Sequence, residues 1–455
     1  DGVKIYRLDV TMLDGESGAV DGALRRLLGP RLDPSSLQTH AEAWGGYMDA
    51  GDWDRRSPHL RVSYLQLELF EMFPGFFEKV KLALPPDEAK NGLPDHVDEA
   101  LWNVDFYQRL QDDDGGVGGG VESTAHPLPG EASWQESLLV GAFPPDPVSS
   151  GRYAAAAAKL AGVVARYDSK LAATYRDSAE RAWSWSEKNA QRVIEEVRRR
   201  GGKVKGTARE TVAEPRALAA VELYRLTGDD SYHAAFRESS LLGTGGDPGN
   251  QLDATFAYAN LPVGLGDADL KRGALDWLKS QGDQVVLASG ANGFNIASRV
   301  QQLPMIGYVG YYTTPETAIG PVLPRLYQLT GDEKYLRGAI AVAQYGAGAN
   351  PMNATMTTGL GHDYPRAPLH VDSLRTGSAP PRGITIYGPQ DPTTAPGWVK
   401  TWVIGKNIAP PGDEWPAGEF HIDVSGWPEM SEYTVHQSIG PTGYYFAYLA
   451  ARSKQ

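Results

Sequence analysis

The chain has 455 residues, 41% hydrophobic and 22% charged, with a formal net charge of −13 at pH 7. That is enough for one large domain or two to three ordinary ones, and the acidic excess argues against nucleic-acid and anionic-membrane partners. The absence of cysteine removes disulfides, cysteine nucleophiles and thiolate metal sites, and no apolar run of about 18 residues is present to span a membrane.

Residues 1–45 read as an irregular segment, a candidate junction to a further module, with one strand-like run from Lys4 to Val10. Residues 57–73 then open on Ser-Pro, repeat apolar residues three and four apart and stop before Pro74, which predicts a helix. The same rhythm predicts helices over 94–111, 151–166, 169–200, 213–227, 231–241, 267–281, 315–330, 332–346 and 431–451. So many helices with few strands make the domain from residue 46 onward all-α. One echo refines this: LYRLTGDDSY at 223–232 and LYQLTGDEKY at 326–335. Each predicts a helix closed by Gly228 or Gly331 and an acidic start to the next helix. Two such hairpins, too far apart for a solenoid repeat, point to paired helices in a closed (α/α) toroid. Residues 347–430 differ, being rich in Gly and Pro with little periodicity. A loop region of that length usually builds a site, and it leads to Glu432 near the start of the last predicted helix.

Two constellations offer chemistry. In Trp44-Gly45-Gly46-Tyr47-Met48-Asp49-Ala50-Gly51-Asp52, a glycine-permitted turn can aim Asp49 and Asp52 into one pocket, where paired carboxylates hold and deprotonate a water. The plainer alternative is an Asx-type turn ahead of the helix at Ser57. In Trp427-Pro428-Glu429-Met430-Ser431-Glu432-Tyr433, aromatic neighbours would desolvate Glu432 and keep it protonated as a general acid. Its plainer alternative is an ordinary first-turn glutamate.

With these residues in place, the chain resembles glycoside hydrolase family 9, the inverting cellulase family built on an (α/α)6 barrel. Trp44–Asp52 resembles that family's G-G-x-x-D-A-G-D motif. Asn91–Trp102 running into Leu110–Val117 resembles its N-x-P-D-L-L-D-E-A-R-W and M-Q-D-D-G-G-V blocks. Gly348-Ala-Asn350-Pro351, Thr358-Gly359-Leu-Gly361 and Pro368-Leu-His370 resemble its G-x-N-P, T-G-x-G and P-H-H-R stretch. Gly388-Pro389 falls where the family has G-G-P, and Ser431-Glu432-Tyr433 where it has Asn-Glu-Val. The blocks keep the family's order over about residues 44–451.

The resemblance implies an (α/α)6 barrel with long active-site loops and one-step hydrolysis of a β-1,4-linked glucan-type polysaccharide, with inversion and internal cutting. Asp52 would be the general base, Asp49 its partner on the water, Glu432 the general acid and His370 a contact to the sugar. The chemistry requires no cofactor or metal, although family members often hold structural calcium in acidic loops. His126 and Trp134 lie where the family places sugar-binding residues, with plain packing as the alternative. Trp398, Trp402, Trp415 and Trp427 would line the far end of the groove, while Trp183 and Trp185 fit a helix core. A secreted monomer is implied, tethered in many relatives to carbohydrate-binding or immunoglobulin-like modules.

Departures from the pattern bear on substrate. The family's P-H-H-R becomes Pro368-Leu369-His370-Val371, its D-Y-N after the acid becomes His436-Gln437-Ser438, and Asp52 is followed by Trp53-Asp54-Arg55-Arg56. A decorated backbone such as xanthan therefore competes with plain cellulose, with Arg55, Arg56 and Arg61, or the run Arg198–Lys205, as partners for acidic branches. The alternatives are an exo-acting glucosaminidase on chitosan oligosaccharides, a polysaccharide lyase, and a non-catalytic glycan-binding protein. Asp112-Asp113-Asp114 reads as a helix-ending turn before it reads as a calcium site.

Overall fold

The computed structural model describes residues 3–11, 13, 37–51, 53–55, 57–85, 90–244, 246–296, 321–405, 408–416 and 419–454. They fall into two compact units. One joins the residues up to Met48 to those from Trp53 to Ala274; the other joins Asp49–Gly51 to Leu275 and beyond.

In the first unit a small sheet sits among helices. Strand β1 (Ile5–Arg7) pairs in parallel with β3 (Val140–Ala142), which pairs antiparallel with β2 (Val121–Ser123). β2 and β3 are three buried residues each and show no polar–apolar alternation, so periodicity could not reveal them. The long helices are α1 (Leu60–Met72), α2 (Asp95–Arg109), α3 (Pro147–Val164), α4 (Ser169–Arg199), α5 (Ala213–Thr227), α6 (Asp230–Ser239) and α7 (Leu252–Ala259). The last of these was not expected from the sequence.

Helix α3 is the hub, packing on α1, α4 and α5. Ala154 to Ala158 are all buried, and these small side chains let neighbours approach from every direction. Its start is fixed by Asp146, whose Oδ1 accepts from the amides of Val148 and Ser149 at 2.9 Å each. Between α1, α3 and α5 lies a buried polar network. Lys159 Nζ is 2.9 Å from Glu71 and 3.2 Å from Glu222, Arg225 Nη2 is 3.0 Å from Glu71, and Tyr64 donates to Glu222 at 2.5 Å. Burial works against the Lys159 ammonium, but Glu222 and Glu71 outweigh it and hold its pKa above the ordinary value.

Helix α8 (Ala268–Gly290) begins in the first unit and continues in the second. It overruns its expected end because Gly282 is a contact residue rather than a stop: a Cβ there would strike the Leu326 side chain. The second unit adds α9 (Val322–Thr330), α10 (Glu333–Gly346) and α11 (Gly440–Arg452), with α10 packed on both. Residues 315–320 of the expected helix lie outside the described residues.

Both echoed turns form the expected hairpin. Gly228 (φ 73°) and Gly331 (φ 67°) end α5 and α9 in the left-handed conformation. Asp229 and Asp332 then cap α6 and α10 by accepting from the amides of Ser231 (2.8 Å) and Lys334 (3.0 Å). No helix of the described residues is long and apolar enough to cross a membrane.

Candidate active site

Among the described residues of 347–439 the only helical elements are short turns, and their backbone bonds join distant segments. Thr358 and Ile386 donate to Ile384 and Met356, Tyr387 and Gly388 to Glu432 and Met430, and Leu369 to Ser431, all within 2.8–3.0 Å. Ala50, buried with Met356, Ile384, Ile386 and Tyr433, accepts from Val371 at 2.7 Å and so ties the Asp49–Gly51 loop to this framework.

Within the second unit, Asp49 is buried and its Oδ1 accepts from the Val435 amide at 2.8 Å. Glu432 is half-buried and its backbone extended (φ −75°, ψ 168°). It follows the single helical turn Pro428–Ser431 and precedes the wide turn Val435–Ile439. The sequence placed it inside a helix from 431. Here α11 starts only at Gly440, because the Glu432 carbonyl accepts from Tyr387 at 2.9 Å instead of serving a helix. The glutamate is thereby set on a rigid extended step rather than on a helix face.

His370 opens the turn Val371–Thr376. Its Nδ1 accepts from the Ser373 amide at 3.3 Å and lies 2.7 Å from Ser373 Oγ. Burial lowers its pKa against the pull of Asp372, so the ring is neutral with its proton on Nε2, a donor suited to a hydroxyl or ether oxygen. The ring stacks on Tyr433 with centroids 6.3 Å apart. Tyr433 is buried, and desolvation followed by the charges of Asp49, Asp372 and Glu432 pushes its phenol far above the ordinary range. Three separate segments thus bring Asp49, His370 and Glu432 around one neutral phenol. Tyr433 had no role assigned from sequence, although it directly follows Glu432.

The remaining site candidates fall elsewhere. Asp52 and Arg56 lie outside the described residues. Arg55 is buried and bonded to Glu122 of β2 at 2.9 Å, half of an internal ion pair rather than an exposed cation. Arg61 is held by both carboxylate oxygens of Asp253 at 2.6 and 3.2 Å. His126 is exposed just after β2, and Trp134, on the turn Ser133–Gln135, is 65% exposed.

Of the four tryptophans expected along a groove, Trp398 and Trp402 are exposed. Trp427 is core, packed with Phe420, and Trp415 lies edge-on against the same ring. Trp183 and Trp185 are buried as expected. In the Asp112–Asp114 turn, Asp112 pairs with Arg7 at 3.0 Å, and Asp114 accepts from Trp185 Nε1 and the Gly116 amide. Asp114 closes the turn, and Asp112 ties it to β1. Sequence reading also missed a buried cluster in the first unit around Asp54. Its only signal was the extra charge after Asp52.

Comparison with known proteins supplies the family. The sequence profile of Glycosyl hydrolase family 9 matches residues 6–428, ending just before Glu432. A xyloglucan-specific endo-β-1,4-glucanase of Bacteroides ovatus is 26% identical over 354 residues, 71% of this chain and 57% of its own length. A cellulose 1,4-β-cellobiosidase of Acetivibrio thermocellus is 26% identical over 446 residues, 83% of this chain and 47% of its own. The chain thus spans about half the length of these curated relatives. Among solved structures, the family 9 endoglucanase J30 superposes with a TM-score of 0.72 at 22% identity, covering 93% of this chain and 77% of that one. At that identity the likeness establishes the fold, the (α/α)6 barrel of these endoglucanases. The chain belongs to glycosyl hydrolase family 9, a glycoside hydrolase with endoglucanase-like relatives.

Proposed function

We propose that this chain hydrolyses a β-1,4-linked glucan-type polysaccharide by single-step inversion, cutting internally. Glu432 protonates the leaving glycosidic oxygen. Asp52, helped by Asp49, holds and deprotonates the attacking water, and His370 donates from Nε2 to the sugar at the cleavage point. An inverting pair of this kind stands about 6.5–9.5 Å apart to admit the water, and the step needs no metal or organic cofactor. The observation that supports the reading best is the convergence of Asp49, His370 and Glu432 on the buried Tyr433.

The substrate we propose is a decorated glucan such as xanthan, acted on outside the cell by a monomer. Where the family pattern carries an arginine after its paired histidines, this chain has Val371, buried as the first residue of a helical turn, so the sugar loses a cationic partner there.

A reducing-end assay on carboxymethyl cellulose, mixed-linkage glucan, xyloglucan, xanthan and chitosan tests this, with Glu432→Gln as the blank. Cleavage should fall about 10²–10⁴-fold in the variant, and proton NMR should show the α-anomer first. Full activity in Glu432→Gln would remove the acid assignment, and an initial β-anomer would exclude inversion. Binding without cleavage across the panel would favour a glycan-binding protein.

A further inference from the structure

His370, the proposed contact to the sugar, has a neighbour that the mechanism above does not use. The Tyr433 ring lies nearly parallel to the imidazole, with 22° between the planes and centroids 6.3 Å apart, an offset stack. Both residues belong to the second unit, and backbone bonds hold the imidazole's segment on either side of it. The Leu369 amide donates to Ser431 at 2.8 Å, and the Val371 amide donates to Ala50 at 2.7 Å. Tyr433 is itself buried in an apolar cluster with Ala50, Met356, Ile384 and Ile386, and Leu369 packs against that cluster. Two departures from the family pattern therefore meet beside His370: Leu369 stands where the family has a histidine, and Tyr433 where it has a valine.

An imidazole donates well to a neutral sugar when one chosen nitrogen carries the proton and the ring plane is fixed. Ser373 settles the proton: Nδ1 accepts from its amide at 3.3 Å and lies 2.7 Å from its Oγ, which leaves the hydrogen on Nε2. The plane needs a second support. A buried aromatic face supplies it, since it bars rotation of the imidazole and displaces the water that would solvate a cation. That shielding works against Asp372 on the same turn, and Asp49 and Glu432 add their charge around Tyr433. We propose that Tyr433 is a positioning residue: its ring fixes the plane of His370 so that Nε2 meets an uncharged sugar unit at the cleavage point. The proposal rests on the role given to His370 above. Misplacing such a donor by about 1 Å can cost about 10²-fold in rate.

The test compares Tyr433→Phe, Tyr433→Leu and Ile384→Val with the wild type. Phenylalanine keeps the ring, leucine removes it, and Ile384→Val loosens the same apolar cluster with Tyr433 intact. Two readouts are taken: kcat/KM on the preferred polymer of the panel above, and the titration of His370 by NMR, its signal assigned by its loss in His370→Gln. Tyr433→Leu should lower kcat/KM about 10–100-fold and move the His370 pKa up toward the ordinary value of about 6.5. Tyr433→Phe should keep kcat/KM within about twofold of the wild type and leave the titration in place. Ile384→Val should lower Tm and leave both readouts unchanged. Wild-type kcat/KM in Tyr433→Leu, a loss there with the His370 titration unmoved, or an equal loss in Tyr433→Phe overturns the proposal. Should Tyr433→Leu not fold, Tyr433→Met, a flexible filler of the same space, takes its place with the same expectations. If the wild type cuts no polymer, the reading of function fails, and the titration then decides by itself. An upward move in Tyr433→Leu but not in Tyr433→Phe supports the positioning of His370, and an unmoved titration overturns it.

Discussion

Residues 147–227 and residues 347–439 solve the same backbone problem by opposite means. In the first stretch, helices α3, α4 and α5 satisfy their amides and carbonyls internally, and side chains do the joining, through a stripe of buried alanines and the Lys159 network. In the second, the backbone itself does the joining. Amides of Leu369, Val371, Ile386 and Tyr387 reach carbonyls of Ser431, Ala50, Met356 and Glu432. A helix face can move as a body, whereas a residue bonded through its own carbonyl, as Glu432 is to Tyr387, sits where its partner segment holds it. The region built by cross-bonds therefore suits the proposed chemistry, and the region built by helices suits support.

Substitutions can break or sharpen that contrast. Lys159→Met should have the largest effect on stability, about 3 kcal/mol, because it removes the ammonium shared by Glu71 and Glu222 and leaves the buried Glu222 with the Tyr64 hydroxyl and the more distant Arg225. Urea unfolding measures this. Glu432→Gln should do the reverse, lowering turnover about 10²–10⁴-fold with Tm nearly unchanged. A Lys159→Met chain as stable as the wild type would show that the network contributes nothing to the support.

The pH dependence is next in size. His96 on α2 lies 2.9 Å from the Gln66 carbonyl and stacks on Phe77, and burial lowers its pKa to about 4. The folded chain thus keeps it neutral while the unfolded chain protonates near the ordinary value of about 6.5. Its stabilising contribution is complete above about pH 6.5 and is lost as pH falls toward the folded value, on the order of 2–3 kcal/mol by pH 4.5. His96→Gln should shrink the difference in Tm between pH 7 and pH 4.5. An unchanged difference would assign the acid sensitivity to other groups. Smallest are Gly228→Ala and Gly331→Ala, each about 1 kcal/mol for placing a Cβ in the left-handed region. Unequal losses would show that the two echoed hairpins are not under the same constraint.

The sequence by itself determined the helical class, the hairpin turns and the family. Helix periodicity and the Gly-Asp turn are local: the residues that form each bond lie within a few positions of one another, as at Gly228 and Asp229. The same locality let the motifs carrying Asp49, His370 and Glu432 be picked out in order along the chain. Only the tertiary structure decided that β2 and β3 exist, that Gly282 lies within a helix, that Trp427 is core and that Arg55 is half of a buried ion pair. It also decided that Glu432 stands on an extended step beside Tyr433, and that Asp54 gathers donors from Tyr47, His59 and Tyr107. Most of these depend on partners tens of residues away, as Arg55 does on Glu122 and Gly282 on Leu326, and spacing along a chain does not encode which distant groups will meet.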